Sequence, residues 1–128
     1  SSYKKLKAGN FHGSIKDLNK LIESYPSYPK LYQAYSNRGF SKAKIGDYQG
    51  AILDYDKSIK INSENSYAYY NRGNLRGDFY GAIYDYNKVI EIDPNHTNIN
   101  QIMDKRGSLK IKIGDKKGGC SDYKNWFC

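Results

Sequence analysis

Within the stretch from Ala51 to Ile61, apolar side chains return at helical intervals: Ile52, Tyr55 and Ile59 share one face, while Asp54, Asp56, Lys57 and Lys60 fill the other. That spacing predicts an amphipathic helix with one face to bury. The preceding Gly46-Asp47 ends one helix and starts the next, Gly46 supplying a left-handed stop and Asp47 an N-cap. The longest uninterrupted apolar run is only a few residues, and no charged, apolar, small-residue succession opens the chain. Neither a membrane span nor a secretory signal is expected.

The same pattern recurs along the chain. Asn37-Arg38-Gly39 returns as Asn71-Arg72-Gly73 and again as Lys105-Arg106-Gly107, with the arginines 34 residues apart both times. Gly46-Asp47-Tyr48-Gln49-Gly50-Ala51-Ile52-Leu53-Asp54-Tyr55 returns as Gly77-Asp78-Phe79-Tyr80-Gly81-Ala82-Ile83-Tyr84-Asp85-Tyr86, and weaker copies begin at Gly9 and Gly114. One domain of four copies is expected, the first incomplete: 1–28, 29–65, 66–96 and 97–128. One helix hairpin cannot hide its apolar face alone, so stacking must supply the core.

The unit resembles the tetratricopeptide repeat (TPR) family, whose 34-residue unit is a pair of antiparallel helices with a small residue at position 8, an aromatic at 17, Ala at 20, an aromatic at 24 and Pro at 32. In the second copy these positions carry Gly39, Tyr48, Ala51, Tyr55 and Ser63; in the third, Gly73, Phe79, Ala82, Tyr86 and Pro94. The Asn-Arg-Gly wording is similar to the bacterial, notably cyanobacterial, variant. The resemblance implies an all-α, right-handed superhelical stack of antiparallel helix pairs, a TPR α-solenoid. Gly39, Ala51, Gly73 and Ala82 are then small because helix backbones cross closely there.

The copies depart from an even spacing. Three residues are added before Tyr32 and three before Asn100, and three are missing between Gly73 and Gly77. The third copy's first helix, Ser66 to Arg76, is expected to be about a turn short, its neighbours lengthened at their starts, and Pro29 to occupy a first-turn position.

Charge and cysteine content refine this picture. The net charge of +8 divides into +4 over residues 1–20, zero over 21–98 and +4 over 99–128. Basic ends suit an acidic protein, an anionic surface or nucleic acid, although solvation of helix faces explains most of such lysine. Cys120 and Cys128, eight residues apart, would lie about 12 Å apart on a continuous helix, too far for a disulfide. Free thiols, with Cys120 in the core, are expected, which fits a reducing, cytoplasmic compartment.

No catalytic pattern emerges. His12 and His96 lack partners at metal-ligand spacing, Cys120 has no nucleophile motif, and Gly114–Gly119 lacks the Gly-Lys-Ser/Thr ending of a phosphate loop. Asp54 and Asp85 fall on repeated helix positions and read as framework. No enzyme activity, metal or cofactor is expected.

Function is then expected on the concave face, where the resemblance puts the first helices of the copies. By family position the groove residues are Gln33, Ser36, Asn37, Phe40 and Lys44 of the second copy, Tyr67, Tyr70, Asn71 and Asn74 of the third, and Gln101, Asp104, Lys105, Ser108 and Lys112 of the fourth. Amides to bond a peptide backbone and rings to hold its side chains suit a non-catalytic scaffold for a partner protein or peptide. The chaperone-tail clamp of some relatives matches at only two of its five positions, Asn71 and Lys105, against Ser36, Phe40 and Gln101. The alternative is single-stranded RNA binding, favoured if Lys42, Lys44, Lys105, Lys110 and Lys112 form one continuous stripe.

Two further expectations are structural. Arg38, Arg72 and Arg106 occupy position 7, where relatives often carry a packed Leu, and each copy has an Asp at position 23, namely Asp54, Asp85 and Asp122. Buried guanidinium groups need partners, so Arg to Asp bridges are expected. Trp126 and Phe127 close the fourth copy without a following helix, so either a longer natural chain is expected to cover this end or two molecules to pack end to end around Trp126.

Overall fold

The computed structural model describes residues 2–122, and these are all-helical. In chain order the helices are α1 (Ser2–Lys7), α2 (Phe11–Ser24), α3 (Leu31–Lys44), α4 (Tyr48–Ile61), α5 (Ser66–Leu75), α6 (Phe79–Ile92), α7 (Ile99–Lys112) and α8 (Lys116–Asp122). Each packs on the next, and short turns join them into a stack of antiparallel pairs. None is long and apolar enough to cross a membrane.

The joints follow from two residues. Gly9, Gly46 and Gly114 take φ of 78°, 88° and 93°, a region that side chains rarely enter. The residue after each caps the next helix: the side chains of Asn10, Asp47 and Asp115 accept from the backbone N–H of Gly13, Gly50 and Gly118 at 3.0, 2.9 and 2.9 Å. The third joint differs. There α5 stops at Leu75, Arg76 is extended (φ −73°, ψ 131°), and Asp78 caps α6 through Tyr80 N–H at 3.1 Å.

The α5 helix has 10 residues where α3 and α7 have 14. It is short as expected, ending one residue before Arg76. Its neighbours are not lengthened, however, since the added residues enter the connecting turns. Pro29 lies in such a turn before α3, with Leu31 N–H donating to the Tyr28 carbonyl at 3.1 Å. A residue preceding proline is pushed out of the helical region, so Tyr28 cannot extend the helix backwards.

The core divides by layer. Leu18, Leu31 and Ala34 pack between α2 and α3; Ala51, Tyr55 and Ala68 between α4 and α5; Tyr69, Ala82, Tyr86, Val89 and Ile102 across α5, α6 and α7. At Gly39 a Cβ would lie 3.1 Å from the Ala51 carbonyl, so the smallness of both residues sets the approach of α3 and α4.

Each position-7 arginine holds the aspartate of its own copy with two N–H groups and reaches the preceding copy with a third. Arg38 bonds Asp54 at 2.9 and 2.7 Å and Asn19 at 2.9 Å. Arg72 bonds Asp85 at 3.0 and 2.7 Å and Asp56 at 2.8 Å. Arg106 bonds both oxygens of Asp122, and Asn87 at 2.9 Å. Burial opposes the Arg72 charge, but its bonds to Asp85 and Asp56 prevail and raise its pKa. Burial likewise opposes ionisation of Asp122, yet Arg106 and Lys110 hold its carboxyl below the ordinary value.

Cys120 is half-buried and disulfide-bonded, which corrects the free core thiol read from spacing. That reading rested on an assumed helical spacing of the two cysteines. Cys128, and the self-association expected through Trp126 and Phe127, lie outside the described residues.

Candidate partner-binding groove

Three clefts follow one another along α3, α5 and α7. The first, ≈560 Å³, is lined by Gln33, Asn37 and Tyr67 with Tyr3, Tyr32 and Asn65. The second, ≈400 Å³, is lined by Phe40, Lys44, Asn71 and Asn74 with Tyr48. The third, ≈240 Å³, is lined by Asn74, Lys105, Ser108 and Lys112 with Arg76 and Phe79. Asn74 is shared by the second and third, which makes the two neighbours across α5.

The side chains in these clefts are largely held in place. The Asn71 amide donates to the Tyr67 carbonyl at 2.8 Å. Asn74 Oδ1 accepts from the Tyr86 hydroxyl at 2.7 Å and from Lys105 Nζ at 3.1 Å. Burial pushes the Tyr86 pKa up to about 12, so this hydroxyl remains a donor through the neutral range. Three ammonium groups sit over rings: Lys44 on Phe40 at 5.2 Å, Lys105 on Tyr70 at 5.7 Å and Lys112 on Phe79 at 5.4 Å. Phe40 also meets Phe11 edge-on, with centroids 6.1 Å apart.

Four of the expected groove residues are placed otherwise. Ser36 borders the first cleft but is only 2% exposed, because its hydroxyl is paired with Ser58 Oγ at 2.6 Å and accepts from the Asn65 amide at 2.9 Å. It ties α3 to α4 and to the turn before α5 rather than facing a ligand. Tyr70 is half-buried against the α5–α6–α7 core and tilted on His96 at 5.2 Å, so packing accounts for much of its surface. Gln101 and Asp104 are exposed on α7 but line none of the three clefts.

Tyr48 and Phe79 enter the clefts although sequence reasoning treated them as repeat framework; they are 55% and 42% exposed. For Phe79 the available signal is the shortened interval after Gly73, since α5 ends early beside the start of α6; Tyr48, at the start of α4, had none. The lysines do not form one stripe. Lys42 and Lys110 are bound to Asp54 and Asp122 at 3.2 and 3.0 Å, which removes them from any continuous basic surface.

Comparison with known proteins agrees with this architecture. Residues 39–77 match the family model described as a TPR repeat. The TPR repeat-containing protein MJ1428 of Methanocaldococcus jannaschii is 39% identical over 69 residues, which are 53% of this chain and 12% of that protein. A tetratricopeptide repeat protein from Parabacteroides merdae superposes with a TM-score of 0.83 at 23% identity, covering 94% of this chain and 47% of its own. MamA gives 0.83 at 22% identity over 96% of this chain and 70% of its own. The first TPR of Spaghetti (RPAP3), solved with the HSP90 peptide SRMEEVD, gives 0.76 at 21% identity over 88% of this chain and 86% of its own. The chain thus spans only a small part of the archaeal relative and under half of the Parabacteroides protein.

Proposed function

The chain belongs to the tetratricopeptide-repeat family, and from that premise we infer that it is a non-catalytic scaffold holding an extended segment of a partner protein along α3, α5 and α7. The observation that carries this reading is the run of three clefts on those helices, lined by amides and rings and joined at Asn74. An extended peptide presents backbone N–H and C=O groups at regular intervals, and Asn37, Asn71 and Asn74 offer both donor and acceptor chemistry to meet them. A structural neighbour of the same fold was solved with a peptide bound, so a stack of this size has room for one. RNA is less well supported, because stacking needs open ring faces and Phe40, Tyr70 and Phe79 each carry an ammonium over the ring.

The test is selection of binders from a random peptide library, followed by titration of the best binder. Replacing Asn37, Asn71 and Lys105 together by Ala is expected to weaken binding at least about tenfold while leaving helicity unchanged, since such surface positions seldom cost more than about 0.5 kcal/mol each. Equal affinity for parent and variant would move the site off this face.

A further inference from the structure

The first cleft differs in charge from the other two. Lys44 lines the second and Arg76, Lys105 and Lys112 the third, whereas among the described residues the first is lined by no Lys or Arg and by a single carboxylate, Glu64. Glu64 is exposed in the turn between α4 and α5. There the Asn62 side chain accepts from the Glu64 backbone N–H at 3.1 Å, and the Asn65 amide ties the turn to Ser36 and Ser58 at 2.9 Å each. In the 34-residue register the same place holds Lys30 in the copy before and Asn98 in the copy after, so a carboxylate is particular to this joint.

The rings of this cleft are set apart as well. Phe40 and Phe79 in the neighbouring clefts carry Lys44 and Lys112 over their faces, and Tyr3 in the first cleft carries Lys7 at 5.4 Å. Tyr32 and Tyr67 line the first cleft too, but among the described residues no cation lies over either ring and none is within ion-pair reach of Glu64. Tyr67 is 39% exposed, so its ring is open to a ligand. A ring attracts positive charge held within about 6 Å of its centroid, and a carboxylate beside it supplies the counter-charge. Tyr32, Tyr67 and Glu64 thus make a cation site that this chain leaves unfilled from its own lysines.

Resting on the groove reading above, we propose that the first cleft takes a basic side chain of the partner segment, its cationic head set against the rings of Tyr32 and Tyr67 and hydrogen-bonded to the Glu64 carboxylate. Charge complementarity selects this occupant, since the lining combines two uncovered rings with a carboxylate and no competing cation. A guanidinium is planar, stacks on aromatic faces and forks onto a carboxylate, so arginine suits the cleft better than lysine. The amides of Gln33 and Asn37, on the α3 side of the cleft, offer donors and acceptors to the backbone that carries the arginine.

The experiment follows amide chemical shifts of the labelled full chain as two end-blocked pentapeptides are added, one with arginine between Ala-Gly and Gly-Ala and one with citrulline, its neutral isostere, in the same place. The arginine peptide is expected to move Asn37, Glu64 and Tyr67 saturably and to bind about tenfold tighter than the citrulline peptide. Glu64→Gln and Tyr67→Leu are each expected to remove about threefold of the arginine peptide's affinity while changing the citrulline peptide by less than about twofold. Glu64 is exposed, so its variant keeps the fold and decides the matter should Tyr67→Leu fail to fold. Equal affinity for the two peptides, binding of neither, shifts that avoid the first cleft, or no effect of Glu64→Gln would overturn the proposal. If the library-selected binder still lost affinity in the Asn37, Asn71 and Lys105 alanine variant in that case, the groove reading would stand and only recognition of a basic residue would fall.

Discussion

Asp85→Asn separates the buried from the exposed half of one arginine's network. Asp85 is fully buried and receives Arg72 Nε and Nη2 at 3.0 and 2.7 Å and Arg76 Nη1 at 3.4 Å. The amide keeps one acceptor but turns an NH2 towards a guanidinium that can only donate. Breaking a buried ion pair costs about 3–5 kcal/mol, and Arg72, with 12% of its side chain exposed, still keeps Asp56 at 2.8 Å. We therefore expect a loss of about 2–4 kcal/mol. Asp56→Asn removes the other carboxylate on the same guanidinium, but Asp56 is 48% exposed, and about 0.5 kcal/mol or less is expected. Replacing Arg72 and Asp85 together by Leu removes both charges and should recover part of the Asp85→Asn loss. Urea unfolding followed by far-UV circular dichroism gives the three values by linear extrapolation. Equal effects of Asp85→Asn and Asp56→Asn would refute the claim that burial sets the worth of these bridges.

Three other outcomes follow from the same structure. Asp122 is held below its ordinary pKa of 3.8, so its stabilising contribution is whole above about pH 4 and lost as pH falls through the folded value; urea midpoints between about pH 5 and pH 2 should drop less steeply for Asp122→Asn than for the parent. Tyr86 is raised to about 12, so stability is intact below about pH 10 and lost as pH rises towards 12; Tyr86→Phe should flatten this alkaline loss in the same assay. At Gly119 a Cβ would stand 2.5 Å from the Gly107 carbonyl, so Gly119→Ala should destabilise by at least about 1 kcal/mol despite its better helix propensity, measured again by urea unfolding.

The stack was legible in the sequence because its packing solution repeats: Gly-Asp joints, small residues at Gly39 and Ala51, and the Arg to Asp register all recur with the repeat, so one copy could be checked against another. Details set by single side-chain contacts far apart in sequence were not. Ser36 reads as an exposed polar position, and its burial depends on Ser58 and Asn65, 22 and 29 residues further along the chain, folding back onto it. Lys42 and Lys44 look equivalent in a basic helix end, yet two residues turn an α-helix by about 200°, so one faces Asp54 and the other the cleft. Tyr70 reads as a free ring because nothing nearby in sequence signals that His96 and Lys105 pack on it. The oxidised state of Cys120 is not legible because the spacing of two cysteines fixes their separation only once the backbone between them is known.

The groove is tested most directly by mapping amide chemical-shift changes when a library-selected peptide is added to the labelled chain. Shifts concentrated on α3, α5 and α7, strongest around Asn71, Asn74 and Lys105, are the predicted result. Shifts confined to α2, α4 and α6, with those three residues unmoved, would contradict it.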